Sequence, residues 1–153
     1  MANTYTQLYV HYVFAVQNRQ TLIRENWQTD LYKYMNGIIE QQGHKPFAIN
    51  GMPDHVHVLV SMNPTQAPSD LMYHVKRSSS LWINENKYVA GKFSWQEGFG
   101  AFSYGKSQIA KICQYIENQQ KHHTKKTFYV EYLAFLKLFD IDYDERYVFK
   151  PIE

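Results

Sequence analysis

Two histidines sit two residues apart in the valine-rich run Asp54-His55-Val56-His57-Val58-Leu59-Val60. On a strand, residues i and i+2 leave from the same face, so His55 and His57 project together while Val56, Val58 and Val60 face the core. Two imidazoles one strand-step apart can share a divalent metal when a third ligand arrives from elsewhere. A single His-x-His is more often a strand whose solvent face carries two histidines. A second pair, Tyr115 and Gln119, lies four residues apart in a segment of helical period, which makes the side chains neighbours on one helix surface. The apolar stripe Ile109, Ile112, Cys113 and Ile116 would seat that helix, with Tyr115 and Gln119 along its edge. Tyrosines commonly flank a core stripe with the hydroxyl in water, and this chain has 13 of them.

Joined, the two pairs make a reaction. A cation held by His55, His57 and the Gln119 oxygen could polarise a phosphodiester and neutralise the charge developing on it. The Tyr115 hydroxyl could then attack phosphorus, forming a phosphotyrosine and releasing a sugar hydroxyl. Such a link conserves the phosphodiester energy and allows rejoining in place of hydrolysis. Basic residues lend weaker support. Lys106, Lys111, Lys121, Lys125 and Lys126 accompany the tyrosine segment against Glu117 alone, and Lys76-Arg77 precede three serines. Both clusters suit a phosphate backbone, and both suit a solvated surface equally well.

Positioning these groups requires a strand for the histidines and a helix for the tyrosine. The opening segment alternates, with Leu8, Val10, Tyr12, Phe14 and Val16 on a core face and Gln7, Tyr9, His11 and Val13 on the other. Trp27, Leu31, Tyr34, Met35, Ile38 and Ile39 predict a helix stopped by Gly43. Strands over 45–50 and 54–61 flank the turn Gly51-Met52-Pro53. Ser69 is the expected N-cap of a helix carrying Leu71, Met72, Val75, Leu81 and Trp82. A glycine-interrupted strand over 92–104 follows, then a helix capped by Ser107 and running to about His122. Phe128, Tyr132, Phe135 and Phe139 predict a last helix, and with Tyr143, Tyr147 and Phe149 they read as core or dimer packing.

The order β-α-β-β-α-β-α-α predicts an α+β fold. Its first six elements match a ferredoxin-like split βαβ antiparallel sheet with helices on one face, to which C-terminal helices are added. Residues 1–153 read as one domain without repeats. Hydrophobic residues make up 44% and charged residues 20%, which argues against a disordered chain. The net charge of +2 advertises no strongly electropositive body, and the single cysteine, Cys113, excludes an internal disulfide. With no secretory pattern at the start and no run near the roughly 20 apolar residues that span a bilayer, the expectation is cytoplasmic, without a membrane partner.

Four blocks stand in a specific order and spacing. They are His11-Tyr12-Val13-Phe14-Ala15-Val16-Gln17-Asn18-Arg19, Gly51-Met52-Pro53-Asp54-His55-Val56-His57, Trp95-Gln96-Glu97-Gly98-Phe99-Gly100-Ala101-Phe102-Ser103 and Tyr115-Ile116-Glu117-Asn118-Gln119-Gln120-Lys121-His122-His123. Through them nearly the whole chain resembles the small single-tyrosine HUH transposases of the insertion sequence 200/605 type, which move elements as single-stranded DNA. The resemblance implies His55 and His57 as the HUH metal ligands, Gln119 as third protein ligand, Tyr115 as nucleophile and Mg²⁺ or Mn²⁺ as the metal. It also implies a homodimer in which one subunit's tyrosine helix can complete the other's metal site. The implied substrate is hairpin-bearing single-stranded DNA, joined through a 5′-phosphotyrosine. His11, on the parity of the non-core face, becomes a candidate neighbour of the metal, in a structural or substrate-contacting role. Two other readings compete: a catalytically silent, domesticated hairpin-binding module of the same fold, and a ferredoxin-like protein whose histidines merely decorate a strand.

Overall fold

Alternating hydrophobicity in the first half of the chain builds the sheet on which everything else is seated. The structure, a computed structural model, describes residues 3–122 and 127–141. The expectations placed on Lys125, Lys126, Tyr143, Tyr147 and Phe149 lie outside those residues, as does the side chain of Lys121. The elements are β1 (Tyr9–Ala15), α1 (Glu25–Gln41), β2 (Lys45–Met52), β3 (His55–Ser61), α2 (Pro68–Glu85), β4 (Gly100–Tyr104), α3 (Ile109–Glu117), α4 (Gln119–His122) and α5 (Phe128–Leu138). The four strands form one antiparallel sheet in the order β2-β3-β1-β4. This is the ferredoxin-like α+β arrangement with added C-terminal helices.

One face of the sheet carries the main core. Tyr12 and Phe14 of β1 and Val56, Val58 and Val60 of β3 pack with Trp27, Leu31 and Met35 of α1 and Leu71, Met72 and Val75 of α2. Each such side chain, fully buried, contributes roughly 1.5–3 kcal/mol of transfer free energy. Gly43, at φ +91°, ends α1 as predicted, its amide and that of His44 capping the carbonyls of Glu40 and Ile39.

The opposite face is covered too, which corrects the expectation of a solvent-facing side for the histidines. Val13, Ala15 and Phe102 pack beneath Phe128, Tyr132 and Leu136 of α5, while Leu59 and Ala48 pack beneath Ile116 of α3. β1 and β3 are the two central strands, and His11, His55 and His57 are all fully buried.

Boundaries differ from the sequence reading at four places. Pro68 is the first residue of α2 and Ala67 precedes it without a side-chain cap, so proline's fixed φ, rather than Ser69, starts the helix. Only Gly100–Tyr104 of the glycine-rich stretch pairs with β1; residues 92–99 run irregularly, fastened by a Val16–Trp95 bridge and by Asn84, whose side chain bonds both backbone groups of Phe93. Ser107 lies inside a 3-10 turn, Lys106–Gln108, and α3 begins after it. The helix then breaks at Asn118 (φ −98°, ψ 22°) before α4. Tyr34 and Leu81, placed on core stripes by spacing, are exposed, and Tyr34 stacks on Trp82. Among the described residues no helix is long and apolar enough to cross a membrane.

Candidate active site

β3 delivers His55 and His57 to the face beneath α5, and each ring is tied back through Nδ1. His55 Nδ1 donates to Asp54 Oδ1 at 2.7 Å. Asp54 is held in turn by Arg19 Nη2 at 3.3 Å, from the turn after β1 where Asn18 and Arg19 both adopt positive φ. The Arg19 guanidinium lies over the Phe128 ring, 5.2 Å from its centroid, joining this corner to α5. His57 Nδ1 meets Nε2 of His11, from β1, at 2.8 Å. With both Nδ1 atoms engaged, the two Nε2 atoms are the ones presented to the site, as outer-sphere partners do for metal-binding histidines.

A carboxylate stands at that point. Glu131 Oε1 lies 3.0 Å from His57 Nε2 and 3.7 Å from His55 Nε2. Gln119 Oε1 lies 3.4 Å from His55 Nε2. Burial drives the His55 imidazole down to about 4, against the upward pull of Asp54, so the ring is neutral at physiological pH. Burial, reinforced by His57, also holds His11 well below its ordinary value. Neutral imidazole is the form that ligates a metal.

Tyr115 enters from α3, which Ile116 seats on Leu59 and Ala48. Its half-buried hydroxyl donates to Glu131 Oε2. Burial first, then the Glu131 charge and hydrogen bond, push the phenol far above its ordinary value, while a hydrogen bond with Gln119 works the other way. The break at Asn118 re-aims the next residue, and Gln119 ends fully buried in the site. A second fastening lies alongside. Asn50 and Gln120 exchange reciprocal amide hydrogen bonds of 3.1 and 3.0 Å, Gln120 Nε2 also donates to the Gly51 carbonyl, and Asn50 Nδ2 donates to the Glu117 carbonyl.

The structure therefore brings His55, His57, Tyr115 and Gln119 together within one chain and places His11 directly behind His57. The basic residues are dispersed. Lys106 and Lys111 are exposed beside and on α3. Lys76 and Arg77 lie on α2, which packs on the other face of the sheet. The Lys76 ammonium donates to the carbonyls of Gln96 and Gly98 at 2.7 and 2.8 Å, and burial draws it down to about 8. Sequence reasoning missed Asp54, Arg19, Asn50, Gln120 and, above all, Glu131. The available signal for Glu131 was an acidic residue three positions after Phe128 and one before Tyr132, on the inward face of a largely apolar segment.

The donor set fits a divalent cation. His55, His57 and Glu131 each offer one ligand atom, all within 4.8 Å of one another, and Gln119 adds an amide oxygen. Imidazole nitrogen with carboxylate and amide oxygen is a combination used for small divalent ions.

The family model for IS200-like transposases matches residues 4–119, a span containing His55, His57, Tyr115 and Gln119. The chain is 26% identical over 118 residues to the ISDra2 transposase TnpA of Deinococcus radiodurans, covering 74% of this chain and 84% of that one. It is also 26% identical over 125 residues to the transposase for insertion sequence element IS200 of Salmonella typhimurium, covering 78% and 81%. Among solved structures, a transposase from Deinococcus radiodurans R1 superposes with a TM-score of 0.61 at 23% identity, over 78% of this chain and 95% of that one. A REP-associated tyrosine transposase bound to a REP hairpin superposes with a TM-score of 0.60 at 13% identity, over 80% and 73%. These two likenesses concern the fold, whereas the match over 4–119 concerns the family: the chain belongs to the IS200-like transposases.

Proposed function

We propose that this chain cleaves and rejoins single-stranded DNA through a 5′-phosphotyrosine on Tyr115, at a divalent-cation centre built on His55 and His57. The observation that carries the reading is the meeting of the Tyr115 hydroxyl with the Nε2 atoms of both imidazoles around one carboxylate.

His55, His57 and Gln119 would hold the cation, Mg²⁺ or Mn²⁺, with the Glu131 carboxylate beside them. When bound, it supplies positive charge that polarises a phosphodiester and offsets the charge now opposing ionisation of the phenol. Asp54 and His11 fix the two rings, and α3 holds the phenol at the edge of the site. The Tyr115 oxygen forms a bond to phosphorus as the bond from phosphorus to the 3′-oxygen breaks. The phenol gives up its proton and the departing 3′-oxygen leaves as a hydroxyl. Attack by another 3′-hydroxyl reverses the exchange and joins strands without any loss of phosphodiester bonds. Mobile-element DNA with hairpin ends is the substrate class, supported by relatives that are transposases and by the hairpin held in one structural neighbour. Lys106 and Lys111 flank the tyrosine segment and suit phosphate contacts, with Lys121 as a further contact; Lys76 and Arg77, across the sheet, would serve a more distant part of the DNA. The working form is a homodimer.

The test is a denaturant-stable adduct assay with Mn²⁺ and labelled hairpin oligonucleotides drawn from the DNA flanking the gene. Wild type should form the adduct, and Tyr115→Phe should form none while still binding the hairpin. An adduct on Tyr115→Phe would remove Tyr115 from the mechanism. Tight binding by wild type with no adduct on any flanking hairpin would instead establish the silent binding module.

A further inference from the structure

Glu131 lies outside the 4–119 span that the family model matches, on a helix whose other inward residues are apolar. We infer that this residue belongs to the centre: one carboxylate oxygen is a ligand of the cation, and the other positions the Tyr115 phenol beside it. The inference deepens the proposed function and rests on its metal centre.

The fold goes to some length to put a carboxylate there. Thr127 caps α5, its side chain accepting from the Val130 amide. Phe128, Tyr132 and Leu136 then fix the rotation of the helix by packing on Val13, Ala15 and Phe102. Gly100 leaves the room that α5 needs, because a Cβ there would stand 2.8 Å from both Cε1 and the hydroxyl oxygen of Tyr132. The rotation that buries Phe128 and Tyr132 also buries Glu131, which is 6% exposed. A carboxylate is rarely buried to that degree unless it is paired or coordinates a metal.

Its two oxygens do different things. Oε1 faces both imidazole Nε2 atoms, and Oε2 takes the Tyr115 hydroxyl. Ligating imidazoles and the Gln119 amide bring no charge to a cation. Glu131 brings a negative charge and a hard oxygen, the ligand chemistry that favours Mg²⁺ and Mn²⁺. Because one side chain serves cation and phenol, metal binding and nucleophile placement share a residue. The second of these is separable: an amide in place of the carboxylate can still accept from the phenol, and a methyl group cannot.

Mn²⁺ isotherms on the DNA-free protein and single-turnover adduct rates at saturating Mn²⁺ test both roles, with circular dichroism as the check on folding. Glu131→Gln should weaken Mn²⁺ binding by at least the ~10-fold that loss of an outer-shell partner costs, and once Mn²⁺ saturates it should form adduct faster than Glu131→Ala. Glu131→Ala should weaken Mn²⁺ similarly and keep a low adduct rate even at saturation, with hairpin affinity unchanged. Should Glu131→Ala fail to fold, Glu131→Asp replaces it, retaining the charge and losing reach to the phenol. Wild-type Mn²⁺ affinity in Glu131→Gln overturns the ligand role. A wild-type adduct rate in Glu131→Ala, or in Glu131→Asp where that replaces it, overturns the positioning role. Failure of the transposase reading shows separately, as a wild type that forms no adduct, while the isotherms contain no DNA and still decide on Glu131 as a ligand.

Discussion

His11 Nε2 lies 2.8 Å from His57 Nδ1, with both rings fully buried and their centroids 5.0 Å apart. The β1–β3 register, in which Val13 opposes His57 and His11 opposes Leu59, sets the two histidines diagonally on one face. His11 therefore occupies the nitrogen of His57 that the centre does not use. Replacing it with Phe keeps a ring in the core and removes that contact. Partners of this kind are worth 10–100-fold in metal affinity, so His11→Phe should weaken Mn²⁺ binding by about that much. The readout is the Mn²⁺-dependent rise in Tm, which tracks binding to the folded state and should be absent in His57→Ala. An unchanged Mn²⁺ titration in His11→Phe would reduce His11 to packing.

Acid should destabilise the metal-free protein from about pH 6.5 downward. An unfolded chain protonates His55 near 6.5; burial in the folded chain drives that value down to about 4. Between the two, the unfolded state binds a proton that the folded state refuses, so this contribution to stability is lost as pH falls through the window and does not change further below it. His11, depressed by burial as well, adds to the same slope. At about 1.4 kcal/mol per unit, His55 alone accounts for roughly 3 kcal/mol. Urea midpoints measured without metal should drop steadily between about pH 6.5 and 4; a flat profile there would mean that the rings protonate in place.

Much of this arrangement was legible in the sequence, and what escaped had specific causes. The alternation around Val56, Val58 and Val60 placed His55 and His57 on one face because strand geometry is local. That the same face is buried was not legible. Period two marks which side of a strand is apolar, and whether a later helix returns to cover the other depends on contacts 70 or more residues away, such as His57 with Glu131. The spacing of Tyr115 and Gln119 suggested one continuous helix; the break at Asn118 is stabilised from outside by Asn50, a residue with no signal in its own neighbourhood. Glu131 was hidden among aromatics that invited a packing assignment for the whole segment.

Gly51 holds β2 against the start of β3 at a distance that excludes a side chain. A Cβ there would stand 2.2 Å from the His55 carbonyl oxygen and 2.9 Å from the Val56 Cα. Both are backbone atoms, so relief requires shifting the strand that carries the imidazoles. Gly51→Ala should destabilise by about 1–3 kcal/mol in urea unfolding and blunt the Mn²⁺ response. Gly37, inside α1 with nothing within 4 Å of its virtual Cβ, is the control. There alanine should stabilise by about 0.5–1 kcal/mol. Equal effects at the two sites would contradict the close approach at Gly51.

The reciprocal amide pair of Asn50 and Gln120 ties the segment bearing Tyr115 and Gln119 to its own sheet. Four hydrogen bonds converge there, two of them to the carbonyls of Gly51 and Glu117, on either side of the pair. Since Gln120 is exposed, water competes for these bonds, and their value lies in alignment more than in stability. Asn50→Ala should therefore leave Tm and hairpin affinity nearly unchanged while slowing adduct formation. Gln120→Ala should behave alike, and the double variant should lose less than the sum of the two single losses, because each substitution already breaks both bonds of the shared pair. Additive losses in that double-mutant cycle would show that the two amides act separately. A loss confined to hairpin affinity would mean that they touch DNA instead of aligning Tyr115.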